Sequence, residues 1–205
     1  MVRDTGNGRH AAQPSSEKSL TANSSNAGSP LIGFGEKGCD IAVCIANRPM
    51  IDDYPQLDQL KPLAKGELQH IVANTSNHWR KVFNVFAKLL YQLADERMNP
   101  FPSWQSYRDQ QLLQLGSREA LLFSPPNATS ASALPDDNQT IYIIAGKTYA
   151  AELKVPGLIW LDTYFAIHRV EPIIVSPYLD YRQLSNQRIE QLVQLVHQVR
   201  ARRVL

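Results

Sequence analysis

The amino-acid sequence predicts an α/β fold, a three-layer α/β/α sandwich with a central, mostly parallel sheet of about four strands. Two observations in the 205-residue chain favour it: short, continuous apolar runs alternate with amphipathic helical segments, and no tight hairpin signal separates them. Continuous apolar runs are typical of parallel strands, because helices cover both faces of such a sheet. We therefore expect a ligand site at the carboxyl ends of the strands.

The domain is preceded by a tail in this interpretation. Residues 1–35 are rich in Ser, Asn, Gly and Ala and offer almost nothing to bury. Because such a segment cannot offset its ordering entropy, we expect it to be disordered. Residues 36–205 are then long enough to bury the core of a single α/β domain.

Four apolar runs are the predicted parallel strands, and each stops at a turn signal. They occupy residues 40–46, 120–123, 141–145 and 173–176, and residues 158–161 add a short edge strand. The helices are predicted from apolar residues that recur every three or four positions. They cover residues 79–93, with Asn77 as N-cap, residues 103–115, ended by Gly116, residues 148–153, and a final segment that begins near Ile189.

Composition limits the function classes. The formal net charge is +2 and the sequence pI is about 8.5, a balance too mild to indicate nucleic acid by itself. The two cysteines, Cys39 and Cys44, are expected on opposite faces of the first strand and therefore unpaired. No stretch approaches the roughly 18 apolar residues of a membrane helix, and no secretory signal is present. We expect a cytoplasmic protein without membrane association.

The loop at residues 176–186, S-P-Y-L-D-Y-R-Q-L-S-N, is the strongest candidate for a site. It follows a predicted strand and precedes a helix, where open α/β sheets bind ligands. Tyrosines can stack on bases, and Arg182 can contact phosphate. In the alternative interpretation the tyrosines pack on the domain and Arg182 pairs with Asp180 or Asp162. The candidate binding residues of this loop are Ser176, Pro177, Tyr178, Arg182 and Ser185.

Other strand ends add candidates. Gly146 and Lys147 follow the strand at 141–145, but Ile141 stands where a phosphate-binding loop needs its first glycine. What remains is a close turn into a helix N-terminus, which can receive an anion. A further strand ends at Ser124. We expect four strand ends to converge on one edge of the sheet, those marked by Asn47, Ser124, Gly146 and Ser176.

Titratable residues indicate chemistry more weakly. Asp52 and Asp53 follow the first strand, where paired carboxylates can activate water or hold a metal, although Asp is equally common in turns. Asn77 and His78 present recognition-capable side chains at a helix start; alternatively, His78 is a solvated first-turn residue. None of the five histidines has the spacing of a metal site, so we predict no metal and no cofactor.

Taken in order, these motifs resemble the uracil-DNA glycosylase superfamily, nearest to its mismatch-specific branch, and make the chain similar to a divergent bacterial member. In that branch the first strand ends in a Gly-x-Asn-Pro loop, and an Asn-x-Phe-Trp segment opens a helix. A later strand enters a Gly-Lys turn, and the last strand meets a Ser/Pro-rich loop that contacts DNA. The similar segments here are A-N-R-P at 46–49, N-H-W at 77–79, A-G-K at 145–147 and S-P-Y at 176–178.

The resemblance implies nucleic-acid or nucleobase recognition, with DNA as the partner and N-glycosidic bond cleavage as the reaction. Such an enzyme takes the target base out of the stack. The implied roles are water positioning by Asn47, general base catalysis by Asp52 or Asp53, base reading by Asn77 or Asn127, phosphate contacts by Lys147, Ser176 and Ser185, and stack filling by Tyr178 or Leu179. A non-catalytic binding or protein-interaction module on the same fold is the alternative.

Overall fold

The computed structural model describes residues 30–94, 100–126 and 140–202. In these residues the strands are β1 (Gly33–Gly35), β2 (Ile41–Cys44), β3 (Leu60–Lys61), β4 (Glu119–Leu122), β5 (Ile141–Ala145), β6 (Leu158–Trp160), β7 (Ala166–His168) and β8 (Ile173–Ser176). The α-helices are α1 (Glu67–Asn74), α2 (Asn77–Leu93), α3 (Trp104–Gln110), α4 (Lys147–Leu153) and α5 (Asn186–Ala201).

One sheet contains all the strands of the described residues, in the order β3-β1-β4-β2-β5-β8-β7-β6. The α/β class is confirmed, and the four central strands β4-β2-β5-β8 are parallel. The prediction of about four mostly parallel strands is wrong for the sheet as a whole, which has eight strands of mixed direction in the described residues. The added strands β1, β3 and β7 are two or three residues long, so their sequences carry too little pattern to predict a strand.

The central strands bury both of their faces, as continuous apolar sequences indicate. Along β2, Ile41 and Val43 join the larger core, which residues of α1, α2 and α5 complete. Ala42 and Cys44 point to the other face, where Ala150 of α4 joins a smaller core. Helices therefore lie on both sides of the sheet. The side of the larger core has α1, α2 and α5, and the other side has α4.

The helices differ from their predicted bounds: α4 begins at Lys147 rather than residue 148, and α5 at Asn186 rather than near Ile189. Asn77 is the first residue of α2 rather than its N-cap, which is Ser76. The predicted helix over 103–115 ends at Gln110. The chain then turns so that Leu113 is fully buried with a positive φ of 60°, a conformation that cannot continue a right-handed helix.

The strand β1 lies before residue 36, within the predicted tail, and residues 1–29 of that tail lie outside the described residues. Cys39 and Cys44 are both buried and free, but they lie in the same core rather than on opposite faces. Cys39 precedes β2, so the alternation of side chains along the strand does not apply to it. Among the described helices, none combines the length and the apolar character needed to cross a membrane.

Glu119, at the start of β4, is a buried acid with 4 % of its surface exposed. Burial raises the pKa of its carboxyl, although the Leu113 amide donates a hydrogen bond to Oε1 at 2.8 Å. Because the folded-state pKa is raised, the folded protein retains a proton that the unfolded chain releases above about pH 4.3. The folded state therefore loses stability relative to the unfolded state as the pH rises from that value.

We expect the free energy of unfolding to fall above that pH by about 1.4 kcal/mol per pH unit, until the folded-state carboxyl titrates. Glu119→Gln, which keeps an acceptor for the Leu113 amide but cannot ionise, is expected to remove this decline. Urea unfolding of both proteins between about pH 4 and pH 7 measures the difference. Glu190→Gln, on the exposed surface of α5, is the control. Identical pH profiles for wild type and Glu119→Gln contradict the prediction.

Candidate functional site

The carboxyl ends of β4, β2, β5 and β8 lie at one edge of the sheet, because these strands are parallel. We call this the carboxyl edge. The β6–β7 hairpin reaches it as well, since β7 runs antiparallel to β8 and β6 antiparallel to β7. The turn at residues 161–165 therefore lies beside the end of β8. The predicted residues at the strand ends stand at this edge, namely Asn47, Ser124, Gly146 and Ser176.

Two of these residues, Ser124 and Ser176, use their hydroxyl groups inside the protein. The Ser124 hydroxyl accepts a hydrogen bond from the Ile32 amide at 3.1 Å and ties the end of β4 to the chain before β1. The Ser176 side chain is fully buried and donates to the Pro177 carbonyl at 2.9 Å. Both hydroxyls hold the scaffold of the carboxyl edge rather than presenting themselves to a ligand.

Asn47, His78 and Tyr178 form a hydrogen-bonded group, which we call the polar cluster. Asn47 Nδ2 donates to the Tyr178 hydroxyl at 3.4 Å, and that hydroxyl lies 2.9 Å from His78 Nε2. A neutral imidazole protonated on Nδ1 accepts the hydroxyl proton at Nε2, whereas one protonated on Nε2 donates to the hydroxyl oxygen. The His78 and Tyr178 rings are stacked at 25°, with their centroids 5.4 Å apart.

Partial burial sets the protonation of the polar cluster. It lowers the pKa of His78; Asp180 acts in the opposite direction, and Lys81 adds to the lowering. Burial also raises the pKa of the Tyr178 hydroxyl. Near neutral pH the cluster therefore holds a neutral imidazole and a protonated phenol, and His78 can accept a proton.

No described hydrogen bond links Asp52 or Asp53 to the polar cluster. Asp52 has a positive φ of 49°, and its carboxylate lies 2.9 Å from His70 Nε2 on α1. Asp53 is exposed. The Arg48 guanidinium folds the same loop back on itself, because it donates to the backbone carbonyls of Leu57 at 2.8 Å and Pro55 at 3.2 Å. The structure thus brings Asn47 into the cluster and directs Asp52 towards α1.

A cleft of about 410 Å³ opens beside the polar cluster, and we call it the basic cleft. Its lining contains three cationic side chains and no carboxylate. Gly146 and Tyr178 are the chain neighbours of the lining residues Lys147 and Pro177, and they lie close together: a Cβ added at Gly146 would be 3.6 Å from Tyr178 Cδ2. The described lining residues are Lys147, Thr163, Tyr164, Pro177, Arg182, Gln183 and Arg188.

Two cations of the cleft lie against aromatic rings of the β6–β7 hairpin. Lys147 is the first residue of α4, and its Nζ is 4.7 Å from the centroid of the Trp160 ring. The Arg188 guanidinium carbon is 3.7 Å from the centroid of the Tyr164 ring. Contacts of this kind hold long cationic side chains in place without neutralising them.

Two carboxylates that stand near cleft residues in the sequence form hydrogen bonds with groups other than the side chains of the cleft cations. Asp180 accepts from Lys81 Nζ at 2.8 Å and from the Arg182 backbone amide at 3.0 Å. Asp162 accepts from two amides of its own hairpin turn. Among the described residues no ion pair includes Arg182 or either of the other cleft cations. Their positive charge therefore remains open to an anionic ligand.

The remaining predicted contacts are peripheral to the cleft. Asn77 is exposed on the first turn of α2, where its side-chain oxygen accepts from Arg80 Nε at 2.6 Å. Ser185 is the half-buried N-cap residue of α5. Asn127 lies outside the described residues.

The sequence does not predict Trp160, Tyr164 and Arg188 at the cleft, nor Thr163 in its lining. The first two stand on the β6–β7 hairpin, and Asp162 within L-D-T-Y is the turn signal that could have located it. No comparable signal marks Arg188, because an arginine in the first turn of a helix is ordinarily a solvated residue.

Another cavity, of about 310 Å³, opens at the opposite edge of the sheet. Asp40 and Arg118 in its lining form an ion pair at 2.5 Å, so much of the charge in this cavity is already paired within the protein. The described residues contain no group of three or more His, Cys, Asp or Glu side chains that could hold a metal ion. The basic cleft is therefore the stronger candidate for an anionic ligand.

The chain belongs to the DUF6942 family, a family of unknown function, whose model matches residues 32–197. That range begins just before β1 and ends within α5, so it includes the described sheet, the polar cluster and the basic cleft. No curated protein and no solved structure matches the chain significantly.

Proposed function

We propose that this member of the DUF6942 family binds nucleic acid in the basic cleft at the carboxyl edge of its sheet. One observation carries the proposal: Lys147 of α4, Arg182 of the loop after β8 and Arg188 of α5 line one cleft, and none of them forms an ion pair with a described carboxylate. Phosphate groups along a nucleic acid are the anions that spaced Lys and Arg side chains bind.

The size and the charge distribution of the cleft support this proposal. Its volume of about 410 Å³ lies within the range of small-ligand pockets, about 300–1,000 Å³, and accommodates a nucleotide. The net charge of the chain is only +2, but three positive charges are concentrated in the cleft. A local cationic surface is sufficient for phosphate binding, so the mild overall charge is compatible with this function.

Arg182→Ala is expected to weaken DNA binding and to leave stability nearly unchanged. The Arg182 side chain is exposed and forms no ion pair among the described residues, so its removal breaks no buried interaction. If the guanidinium neutralises one phosphate, the slope of log K against log salt concentration falls by about 0.7 to 0.9. Fluorescence anisotropy of a labelled oligonucleotide between about 50 and 200 mM salt measures this slope.

Arg169→Ala is the matched control for this experiment. Arg169 is also an exposed arginine, but it follows β7 at the opposite edge of the sheet. The proposal is rejected if wild-type protein binds no oligonucleotide at about 50 mM salt. It is also rejected if Arg169→Ala lowers affinity and salt slope as much as Arg182→Ala does.

The polar cluster favours a second candidate, cleavage of an N-glycosidic bond in the bound nucleic acid, the reaction implied by the resemblance to uracil-DNA glycosylases. Neutral His78 can take a proton, while Asn47 and Tyr178 can orient a water molecule. In this proposal His78 replaces Asp52 and Asp53 as the base, because Asp52 pairs with His70 and Asp53 is not linked to the cluster by any described hydrogen bond.

Cleavage is tested with a duplex that carries uracil or a guanine–thymine mismatch. Alkali converts the abasic site left by a glycosylase into a strand break, which is read on a denaturing gel. Strand breakage that depends on the protein supports the catalytic candidate. Retained DNA binding without breakage at high protein concentration rejects it and leaves a non-catalytic binding module on the same fold.

A further inference from the structure

We infer that the ligand is a single-stranded nucleic acid whose bases stack on exposed aromatic rings beside the basic cleft, an inference that rests on the function proposed above. The rings are those of Trp160, Tyr164 and Tyr181, which are 40 %, 44 % and 54 % exposed. We call this group the aromatic strip. The position of the strip, its pairing with cations and its exposure together indicate that the ligand is single-stranded.

Two further exposed apolar residues stand next to Trp160 in the chain. Ile159 and Leu161, on either side of Trp160, are also exposed, and all of them stand on β6 or in the turn that follows it. In the described sheet β6 is the outermost strand on its side. Trp160 therefore stands on a strand whose outer side no described strand covers.

Each ring of the strip has a cation of the basic cleft over one of its faces, which leaves the opposite face for a base. The distances from cation to ring centroid are 4.7 Å for Lys147 and Trp160, 3.7 Å for Arg188 and Tyr164, and 5.8 Å for Arg182 and Tyr181. A strand of nucleic acid repeats the same two chemistries, a phosphate and a flat base, once per nucleotide. Cationic grooves with interleaved aromatic rings are the surfaces on which single strands bind.

A duplex would not use the strip, because neighbouring base pairs already cover both faces of each base. A single strand leaves those faces free. Each base that stacks on an aromatic side chain strengthens binding by about 5- to 150-fold, largely independent of sequence. The rings also stand on a hairpin turn and a loop, whereas reading duplex DNA from its major groove requires an inserted helix or β-ribbon.

The test compares three labelled probes by fluorescence anisotropy: an oligothymidylate of about 15 nucleotides, an abasic strand of the same length, and the duplex of the oligothymidylate with its complement. The wild-type protein is expected to bind the oligothymidylate about 10-fold more tightly than the abasic strand, and more tightly than the duplex. The abasic strand carries the same phosphates, so this difference isolates stacking.

Trp160→Ala is expected to lower the affinity for the oligothymidylate about 10-fold and to leave that for the abasic strand unchanged. Trp160→Phe keeps a ring and is expected to retain most of the affinity, but it should lose the tryptophan quenching that the stacked base produces. Tyr164→Ala is the second variant, should Trp160→Ala fold poorly. Val170→Ala, 81 % exposed at the opposite edge, is the control.

The outcomes separate the two proposals. If wild-type protein binds none of the three probes, the proposed function itself is rejected. If it binds all three equally and Trp160→Ala changes nothing, the phosphate-binding cleft stands and the single-strand inference is overturned. If Trp160→Ala changes the oligomeric state while affinity is unchanged, the strip is a contact between copies of the chain, and the inference is again overturned.

Discussion

Gly35→Ala is expected to lower the free energy of unfolding by about 3 kcal/mol or more. Gly35 lies in β1 with a φ of 113°, a conformation that residues with a Cβ rarely adopt. An added Cβ would overlap the Glu119 carbonyl oxygen and lie 2.9 Å from the Ala120 Cα, both in the backbone of β4. Because backbone atoms cannot rotate away as a flexible side chain can, β1 would have to separate from β4.

Gly38→Ala is the matched control for this prediction. Gly38 also has a positive φ, of 75°, but a Cβ built there meets nothing within 4 Å. It should therefore show only the conformational cost of about 1 kcal/mol. Urea unfolding of both variants measures the difference, which is the cost of the overlap between β1 and β4. Equal losses in the two variants would show that the close approach contributes nothing.

Gly35 also illustrates which strands can be predicted from the sequence. The central strands are predictable because each carries its own signal, as in the uninterrupted I-Y-I-I-A of β5, which is buried on both faces. The sequence of β1 is G-F-G, and β3 has two residues. Their strand character comes from pairing with β4 and with each other, which are contacts between segments distant in the chain and invisible to a local pattern.

The candidate site is predictable to the extent that it depends on strand ends. Parallel strands place their carboxyl ends together, so the arrival of Asn47 and Tyr178 at one edge follows from the fold class. The direction in which each side chain points does not follow from the fold class. Ser176 ends a strand that is buried on both faces, and its hydroxyl is bonded to the Pro177 carbonyl inside the protein.

Tyr164 and Arg188 lie at the basic cleft because of contacts between segments, which the local sequence does not encode. Tyr164 reaches the cleft because the β6–β7 hairpin returns beside β8, and Arg188 lies there because α5 begins directly after the loop that follows β8. The predicted edge strand at 158–161 places Trp160 in a strand but provides no partner strand. Without β7 the turn that carries Tyr164 could not be assigned to either edge of the sheet.

Asp180→Ala is expected to lower the free energy of unfolding by about 2 kcal/mol, since it removes charge-assisted hydrogen bonds. The Asp180 carboxylate joins α2 to the loop after β8: it accepts from Lys81 Nζ at 2.8 Å and from the Arg182 amide at 3.0 Å. The Lys81 and Asp180 side chains are only 19 % and 18 % exposed, so water replaces the lost partner poorly. Asp58→Ala, which removes an exposed carboxylate without a described partner, is the control.

The pH dependence of this loss identifies the charged carboxylate as its source. Burial alone acts to raise the pKa of Asp180, but the hydrogen bonds from Lys81 and from the Arg182 amide outweigh it and lower that pKa. A lowered folded-state pKa means that the stabilisation is present above the unfolded value and is lost as the pH falls through the folded value. Urea unfolding should therefore show a full difference between wild type and Asp180→Ala at neutral pH and a smaller one in acid.

Asp180→Ala also distinguishes two effects on the proposed DNA binding. Removing a negative charge beside the basic cleft would by itself strengthen the attraction of phosphates and tighten binding. Releasing the Arg182 amide, however, frees the loop that holds Pro177 and Arg182 at the cleft, and a loop that must be ordered on binding lowers affinity. We expect the loop effect to dominate, so that anisotropy shows weaker binding than in Asp58→Ala. Tighter binding would instead show that Asp180 acts on the cleft only through its charge.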